Sequence, residues 1–536
     1  MDNGSRVPSR SETVPLRQVA VHLHPRDDVA IAKVDLQPGM VLALEPTDSL
    51  DTQVTVRQHV PSGHKVALRQ IAAGEAVHRY GQVIGFAKHL ILPGEHVHTH
   101  NLEVRELAQQ PTVEAGVEPA ALVPESERLI FWGYRRADGQ VGTRNYIAII
   151  PTVNCSASAS RQIARAFTAE RLAPYPNLDG VVAFTHHAGC RNCAGSADTA
   201  ILQRVLAGIA RHPNVGGYIL VGLGCEVNQI DDLVRAHHLV RRHHLRAGDG
   251  KQAPVGLVIQ ELGGIRKTVE AGIAAVEELL PGVTAVQRSP QPISALVLAL
   301  QCGGSDSWSG VTANPVVGMV ADEVVRQGGT VVLSETPEIY GAEHLLASRA
   351  ISPAVGQKLM TKIRWWEEHV ARLGLTIDNN PSPGNKAGGL TTIYEKSLGC
   401  VTKAGTTPLV RVYDHAERVT TRGLAFMDGP GYDPVSVTGQ VAGGCNLVLF
   451  TTGRGSVAGF KPAPVIKVSS NSAVYQRMTE DIDLDAGRVL EGVSIDKVAD
   501  ELLNLVVAVA SGQPSKSETQ GVGEDEFVVW DLGGTL

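Results

Sequence analysis

From Phe131 onward the chain alternates short apolar runs with helix-patterned stretches. The runs at 146–153, 180–184, 217–221, 255–259, 295–300, 330–333 and 447–450 are continuously apolar, the pattern of strands covered on both faces. Their alternation with helical segments predicts parallel α/β sheets. Several runs end in Gly- or Cys-containing turns: Asn154-Cys155-Ser156, Thr185-His186-His187-Ala188-Gly189-Cys190, Gly224-Cys225-Glu226, Gln301-Cys302-Gly303-Gly304 and Thr451-Thr452-Gly453-Arg454-Gly455. In open parallel sheets ligands sit beyond the carboxyl ends of the strands. Any one of these turns has a steric explanation as good as a functional one, but the set favours function.

The first hundred residues read differently. Val29-Ala30-Ile31-Ala32 and Lys65-Val66-Ala67-Leu68 are short strand-like runs punctuated by Pro38-Gly39, Pro61-Ser62-Gly63 and Pro93-Gly94, which predicts a small β-rich module over 15–103. Residues 104–128 carry Pro111, Pro119 and Pro124 among Glu, Gln and Ala, with no aromatic residue, and read as a linker that can open with a helical turn. A junction from Pro281-Gly282 through Pro290 and Pro292 divides the remainder into α/β domains over 129–285 and 290–536. The expected fold class is multidomain α/β with a small β-rich domain in front.

Composition narrows the function classes. A chain of 536 residues is too long for one simple core, and 43% hydrophobic with 19% charged residues fits a soluble globular enzyme. A net charge of -7 without a Lys/Arg stripe excludes nucleic acid as the main partner. No apolar run approaches the ~20 residues needed to span a bilayer, and residues 1–10 are polar, so no membrane partner and a cytoplasmic location are expected. A homo-oligomer is compatible with this composition. The seven cysteines all lie at or after Cys155 and form no disulfide framework, so reduced thiols are expected. Nine of the nineteen histidines, by contrast, lie in the first hundred residues, so the two halves offer different ligand chemistries.

Gly63-His64-Lys65-Val66-Ala67-Leu68 and Gly94-Glu95-His96-Val97-His98-Thr99-His100-Asn101 resemble the SAF domain, a β-clip fold. Gly133-Tyr134-Arg135-Arg136 and Val141-Gly142-Thr143-Arg144-Asn145-Tyr146 resemble the opening of the altronate/galactarate dehydratase catalytic region. The resemblance continues through VGLGCEVNQI (221–230), QCGGSDSWSGVTANP (301–315), SETPEIY (334–340), NPSPGNKAGGLTTIYEKSL (380–398) and FTTGRG (450–455). It spans roughly 20–530 and implies elimination of water from a sugar acid to give a 2-keto-3-deoxy acid. It also implies Fe2+, Mn2+ or another divalent cation as cofactor. The stretch from Phe426 to Pro434 and Glu526-Phe527-Val528-Val529-Trp530 are closer to the altronate than to the galactarate pattern, with galactarate the alternative. A sulfo-lyase and a sugar-acid-binding protein without catalysis are further alternatives. His187 stands where the family commonly has glycine, and Cys193 adds a Cys190-Arg191-Asn192-Cys193 spacing.

The chemistry itself specifies residue types. Removing the proton beside a carboxylate builds an enediolate, which a divalent cation stabilises while a positioned base takes the proton. His22, His24, His96, His98 and His100 have alternating spacing, which on strands puts imidazoles on one face; exposed polar alternation is the bland alternative. Imidazole both binds iron and works as a base near neutral pH. On this reading His98, His96, Arg144, Glu335 and Lys386 are the catalytic candidates. His64, Lys65, Asn145, Arg454 and Lys396 are the substrate-binding candidates, with the arginines suited to bidentate carboxylate clamping or to ordinary salt bridges. His22, His24, His100, Cys190, Cys225 and Cys302 are the metal candidates. Glu338 fits metal binding or a helix cap, and Asp306 fits a cation ligand as well as an N-cap. An iron–sulfur site drawing on Cys155, Cys190, Cys193, Cys225, Cys302, Cys400 and Cys445 is the minor alternative, because buried cysteine is often only a small hydrophobe. Neither a Walker A motif nor a dinucleotide fingerprint is present.

Overall fold

The computed structural model describes residues 13–44, 52–106, 117–190, 193–241 and 253–532. Each apolar run of the sequence beyond Phe131 is a strand. Gly180–Ala183, Tyr146–Pro151, Val215–Gly222 and Val255–Val258 lie side by side, in that order, in one parallel sheet. A second parallel sheet has seven strands in the order Leu409–Tyr413, Gly423–Met427, Thr330–Ser334, Val297–Cys302, Leu447–Thr452, Val465–Ser469 and Leu484–Asp485. Its central strands are buried except for the first residue, Val297, of one of them, as continuous apolar runs require. The helix Ala313–Arg326 crosses between two of them and buries Val316, Val317, Val320 and Val324.

The N-terminal module is built from short antiparallel strands. Ala20–Val21, Val29–Ala32, Lys65–Ala67 and His96–Val97 form a four-stranded sheet, flanked by two three-stranded ones. Leu36, Leu42, Val54, Val60 and Val66 make its private core. Ile71, Val77, Ile84, Ile91 and Val97 instead pack into the apolar cluster that includes Leu298, Val331 and Leu398 of the seven-stranded domain. The module therefore shares a core with the far end of the chain.

The two α/β sheets are joined by a strap in which Ile130–Arg135 pairs antiparallel with both Val141–Gly142 and Arg288–Pro292. Residues 107–116, where a helical turn of the linker would fall, lie outside the described residues. Past them the segment runs along the seven-stranded domain, with Val123 N–H donating to Arg326 O at 2.8 Å. Among the described residues no helix is long and apolar enough to cross a membrane.

Candidate metal and substrate site

His64, His96 and His98 converge because of strand register. Lys65 pairs with Val97 and Val66 with His96 in antiparallel fashion, which places residue 64 opposite residue 98. His96 and His98, two apart, share a face. The ring centroids are 4.8 Å apart for His64–His98, 5.0 Å for His64–His96 and 5.4 Å for the stacked His96–His98 pair. One nitrogen from each ring fits within 4.8 Å of the others, and His64 Nδ1 lies 3.0 Å from His96 Nε2. Asn101 fixes the turn beyond: its Oδ1 accepts from His98 N–H at 2.9 Å and its Nδ2 donates to His96 O at 2.9 Å.

Burial, then the charges of neighbouring groups, pull His96 down to about 3 and His98 to about 4, and His64 is lowered as well. All three are neutral at physiological pH, the form that binds a metal ion or accepts a proton. His98 Nδ1 is buried with no hydrogen-bond partner. Neutral, convergent and partly unpaired imidazoles fit a borderline divalent cation such as Fe2+.

The opposite wall comes from the seven-stranded domain. His64 Nε2 is 3.4 Å from Ala387 O, and Gly389 has φ +94° with its Cα against Gly63 O, where a Cβ would overlap. Lys65 Nζ donates to Gly389 O at 2.6 Å and to Glu395 Oε1 at 2.8 Å, and Arg79 donates to the same carboxylate and to Ser307 O at 2.7 Å. Burial alone would raise Glu395, but the Lys65 and Arg79 charges hold it at about 2; burial pulls Lys65 to about 8 despite this partner. Thr392 caps the helix Ile393–Val401 through Glu395 N–H, aiming the carboxylate at the module. Arg454 is exposed beside this wall, its stem against Gly388. Ser305 and Ser307 present buried hydroxyls without partners, and Lys386 is half-buried on the adjoining turn.

A second cluster lies at the carboxyl ends of the seven-stranded sheet. Cys302 Sγ is 3.4 Å from Cys400 Sγ, and both approach Glu338 Oε2, at 3.5 and 3.4 Å. Lys403 donates to Cys302 at 2.7 Å, Lys396 donates to Glu338 and Asn380 Oδ1, and Asn380 Nδ2 donates to Glu338 Oε1. The Cys400 hydrogen bond, against the effect of burial, and the Lys403 charge bring Cys302 to about 6. Glu335 sits beside them at φ +72°, with both carboxyl oxygens buried and unpartnered. Burial and then Glu338 push its carboxyl far above the usual range, and the same two causes raise Asp433 to about 7.

The remaining sequence candidates are dispersed. His100 stays at the rim, its ring 5.4 Å from that of His96. His22 contacts Asp27 O, and His24 accepts from Arg26 N–H, so neither joins the triad. Arg144 does clamp a carboxylate, that of Glu518 at 2.6 and 2.7 Å, and spends its other donors on the Thr143, Val509 and Gln513 carbonyls. Asn145 is buried and bonds Asn177 O and Val283 O; Arg144 thus fastens the middle domain to the C-terminal one, while Asn145 ties strands and loops within the middle domain. Asp306 accepts from Trp308, Ser309, Ser470 and Asn471, which closes a turn and not a helix: the next helix begins at Ala313, with Thr312 as its N-cap. Cys190 and Cys225 lie exposed at the four-stranded sheet, away from Cys302. Glu395, Arg79, Lys403 and Asp433 escaped the sequence reading, since an isolated charged residue carries no periodic signal.

Residues 18–105 match the altronate/galactarate dehydratase SAF domain, 133–284 the second domain of D-galactarate dehydratase/altronate hydrolase, and 293–535 the D-galactarate/altronate dehydratase C-terminal domain. The chain belongs to the altronate/galactarate dehydratase family. It is 37% identical to an altronate dehydratase of Escherichia coli (strain K12) and 33% identical to one of Bacillus subtilis (strain 168), each alignment covering 96% of this chain and 99% of the relative. It is also 35% identical to the galactarate dehydratase (L-threo-forming) of Escherichia coli (strain K12), over 95% of this chain and 96% of that one. Family membership thus rests on all three modules together, including the one that carries the imidazoles.

Proposed function

We propose that this protein is a hydro-lyase that removes water from a sugar acid, with D-altronate as its substrate and 2-dehydro-3-deoxy-D-gluconate as its product. The observation that carries the reading is the convergence of neutral His64, His96 and His98 against the wall that bears Arg454, Ser305 and Ser307. An α-proton beside a carboxylate needs a cation, a neutral base and hydroxyl-binding groups, and this wall and triad supply each type.

His64 and His96 are the residues that would hold the divalent cation, Fe2+ or Mn2+. That ion, when bound, supplies Lewis acidity toward the substrate carboxylate. His98, with its unpaired Nδ1, accepts the proton from the carbon beside the carboxylate. Arg454 and Lys386 pair with the carboxylate, and the Ser305 and Ser307 hydroxyls meet the sugar hydroxyls. Lys65, held by Glu395 and Gly389, keeps the module and the wall in register. Glu335, its carboxyl raised by burial and by the Glu338 charge, is the acid assigned to the departing hydroxyl.

D-altronate is favoured over galactarate by the segment from Phe426 to Pro434 and the Phe527–Trp530 region, which pack together: Trp530 stacks on Trp366, whose Nε1 donates to Asp428. Comparing kcat/KM on D-altronate, galactarate and sulfolactate, with the protein purified anaerobically and supplied with Fe2+, tests the assignment. Preference for D-altronate is the expected result; preference for galactarate or sulfolactate reassigns the substrate, and ligand binding without turnover contradicts the enzyme reading.

A further inference from the structure

The four-stranded sheet has a chemically equipped edge that the proposed dehydration does not use. Cys155, Cys190 and Cys225 are free and exposed, although unpaired cysteine is among the more buried residue types. They follow three strands that are neighbours in space: Gly180–Ala183, Tyr146–Pro151 and Val215–Gly222. Because these strands are parallel, all three thiols emerge at the same carboxyl edge.

The loops that carry them are stapled to one another. Asn154 N–H, next to Cys155, donates to Ala188 O at 3.0 Å, and Asn228 N–H donates to Gly189 O at 3.2 Å. Gly189, next to Cys190, has φ +103° and lies so close to Thr152 and Val153 that no side chain fits. Glu226, next to Cys225, accepts from Thr152 Oγ1 at 2.8 Å, and Asn228 Nδ2 donates to Thr152 O at 3.0 Å. Each cysteine is therefore one chain step, about 3.8 Å between Cα atoms, from a residue bonded into a common hub.

The spacing selects the kind of centre. A single zinc or iron ion bound at about 2.3 Å per sulfur needs its ligand atoms close together. Among the described residues the three sulfurs are not all within 4.8 Å of one another. Three thiols gathered on one edge but held wider than a mononuclear site fit a polynuclear centre of iron and sulfide, the soft-metal chemistry that thiolates select. The helix Ala157–Arg165 begins directly after the Cys155 turn, so its positive end favours an anionic cluster there. A cavity of about 580 Å³ lies beside the loop that leads to Cys190, lined by Arg161 and His187 and also by Asp198, Glu524, Asp525 and Asp531.

We propose that Cys155, Cys190 and Cys225 ligate an iron–sulfur cluster at this edge, with one iron left without a protein thiolate. Cys193 lies outside this hub and is given no iron in the proposal: its carbonyl is tied instead to the start of the helix Ala197–Ala210, accepting from Ser196 N–H at 3.0 Å and Thr199 Oγ1 at 2.8 Å. The cluster is separate from the histidine triad, and its detection does not depend on turnover.

The test is anaerobic reconstitution of the full chain with ferrous iron and sulfide, followed by iron and acid-labile sulfide analysis and visible absorption spectroscopy. The wild type is expected to retain iron and sulfide in equal amounts, with a broad visible band that air bleaches, and mild oxidation is expected to release the unanchored iron first. Cys155→Ser, Cys190→Ser and Cys225→Ser should each lose the band, while Cys193→Ser and Cys445→Ser keep it; circular dichroism of each variant separates ligand loss from misfolding. Iron without sulfide in the wild type, or an undiminished cluster in the folded triple serine variant, overturns the proposal. Loss of turnover in His98→Ala with the cluster intact would leave it standing, so its failure and that of the dehydratase reading are distinguishable.

Discussion

Lys65 and Glu395 are 330 positions apart in the chain and meet at 2.8 Å in a fully buried ion pair. Everything proposed for the triad depends on this contact, because it holds the strand that bears the imidazoles against the wall that completes the site. Breaking one partner of a buried pair typically costs about 3–5 kcal/mol, since the other charge stays buried and uncompensated. Lys65→Met is therefore expected to lower the melting temperature and raise KM together, measured by calorimetry and steady-state kinetics. A variant with wild-type stability would show that the module is held mainly by its shared apolar core.

Acid should undo the same contact. Glu395 titrates at about 2 in the folded chain against an ordinary 4.5, as does Glu338. A depressed carboxylate adds stability that is fully present above the unfolded value and is lost as pH falls toward the folded one. Denaturation midpoints are expected to hold above pH 4.5 and drop between there and about 2. In Glu395→Gln this drop should shrink; an unchanged acid limb would remove Glu395 from the account.

Gly389 offers a purely steric probe. Its φ of +94° and its contact with Gly63 O leave no room for a Cβ, so Gly389→Ala must strain the backbone or separate the two walls. Strain of this kind costs on the order of 1–3 kcal/mol. Limited proteolysis is expected to release the N-terminal module faster than in wild type, and equal cleavage rates would refute the close approach.

Much of this fold was legible as pattern. The seven continuous apolar runs beyond Phe131 are strands, because burial on both faces leaves an unmistakable mark. Leu409–Tyr413, Val465–Ser469 and Leu484–Asp485 were not, since Arg411, Lys467 and the brevity of the last break that mark, and the short apolar run Gly423–Met427 was missed although it bears the mark in full. Alternating histidines identified His96 and His98, but register, which sequence does not encode locally, chose His64 over His22 and His24 as their companion. Arg144 and Asn145 illustrate the opposite case: motif residues whose donors are consumed inside the scaffold.

Glu335 carries a buried carboxyl that burial, and then the Glu338 charge, raise well above the ordinary carboxylate range. Glutamine keeps the size and shape of the side chain, so Glu335→Gln is expected to melt close to wild type by calorimetry. If it protonates the leaving hydroxyl, kcat falls by roughly 10²–10⁴, the usual contribution of general acid catalysis. A loss of stability with unchanged kcat would assign Glu335 to the scaffold instead.

His64 and His96 are assigned to the cation and His98 to the proton, and one paired measurement on His98→Ala separates these roles: Fe2+ affinity by anaerobic titration, and turnover of D-altronate by the same iron-loaded protein. Iron binding is expected to stay close to wild type, because His64 and His96 remain, with kcat reduced roughly 10²–10⁴-fold through loss of the base. Turnover near the wild-type rate would contradict this assignment.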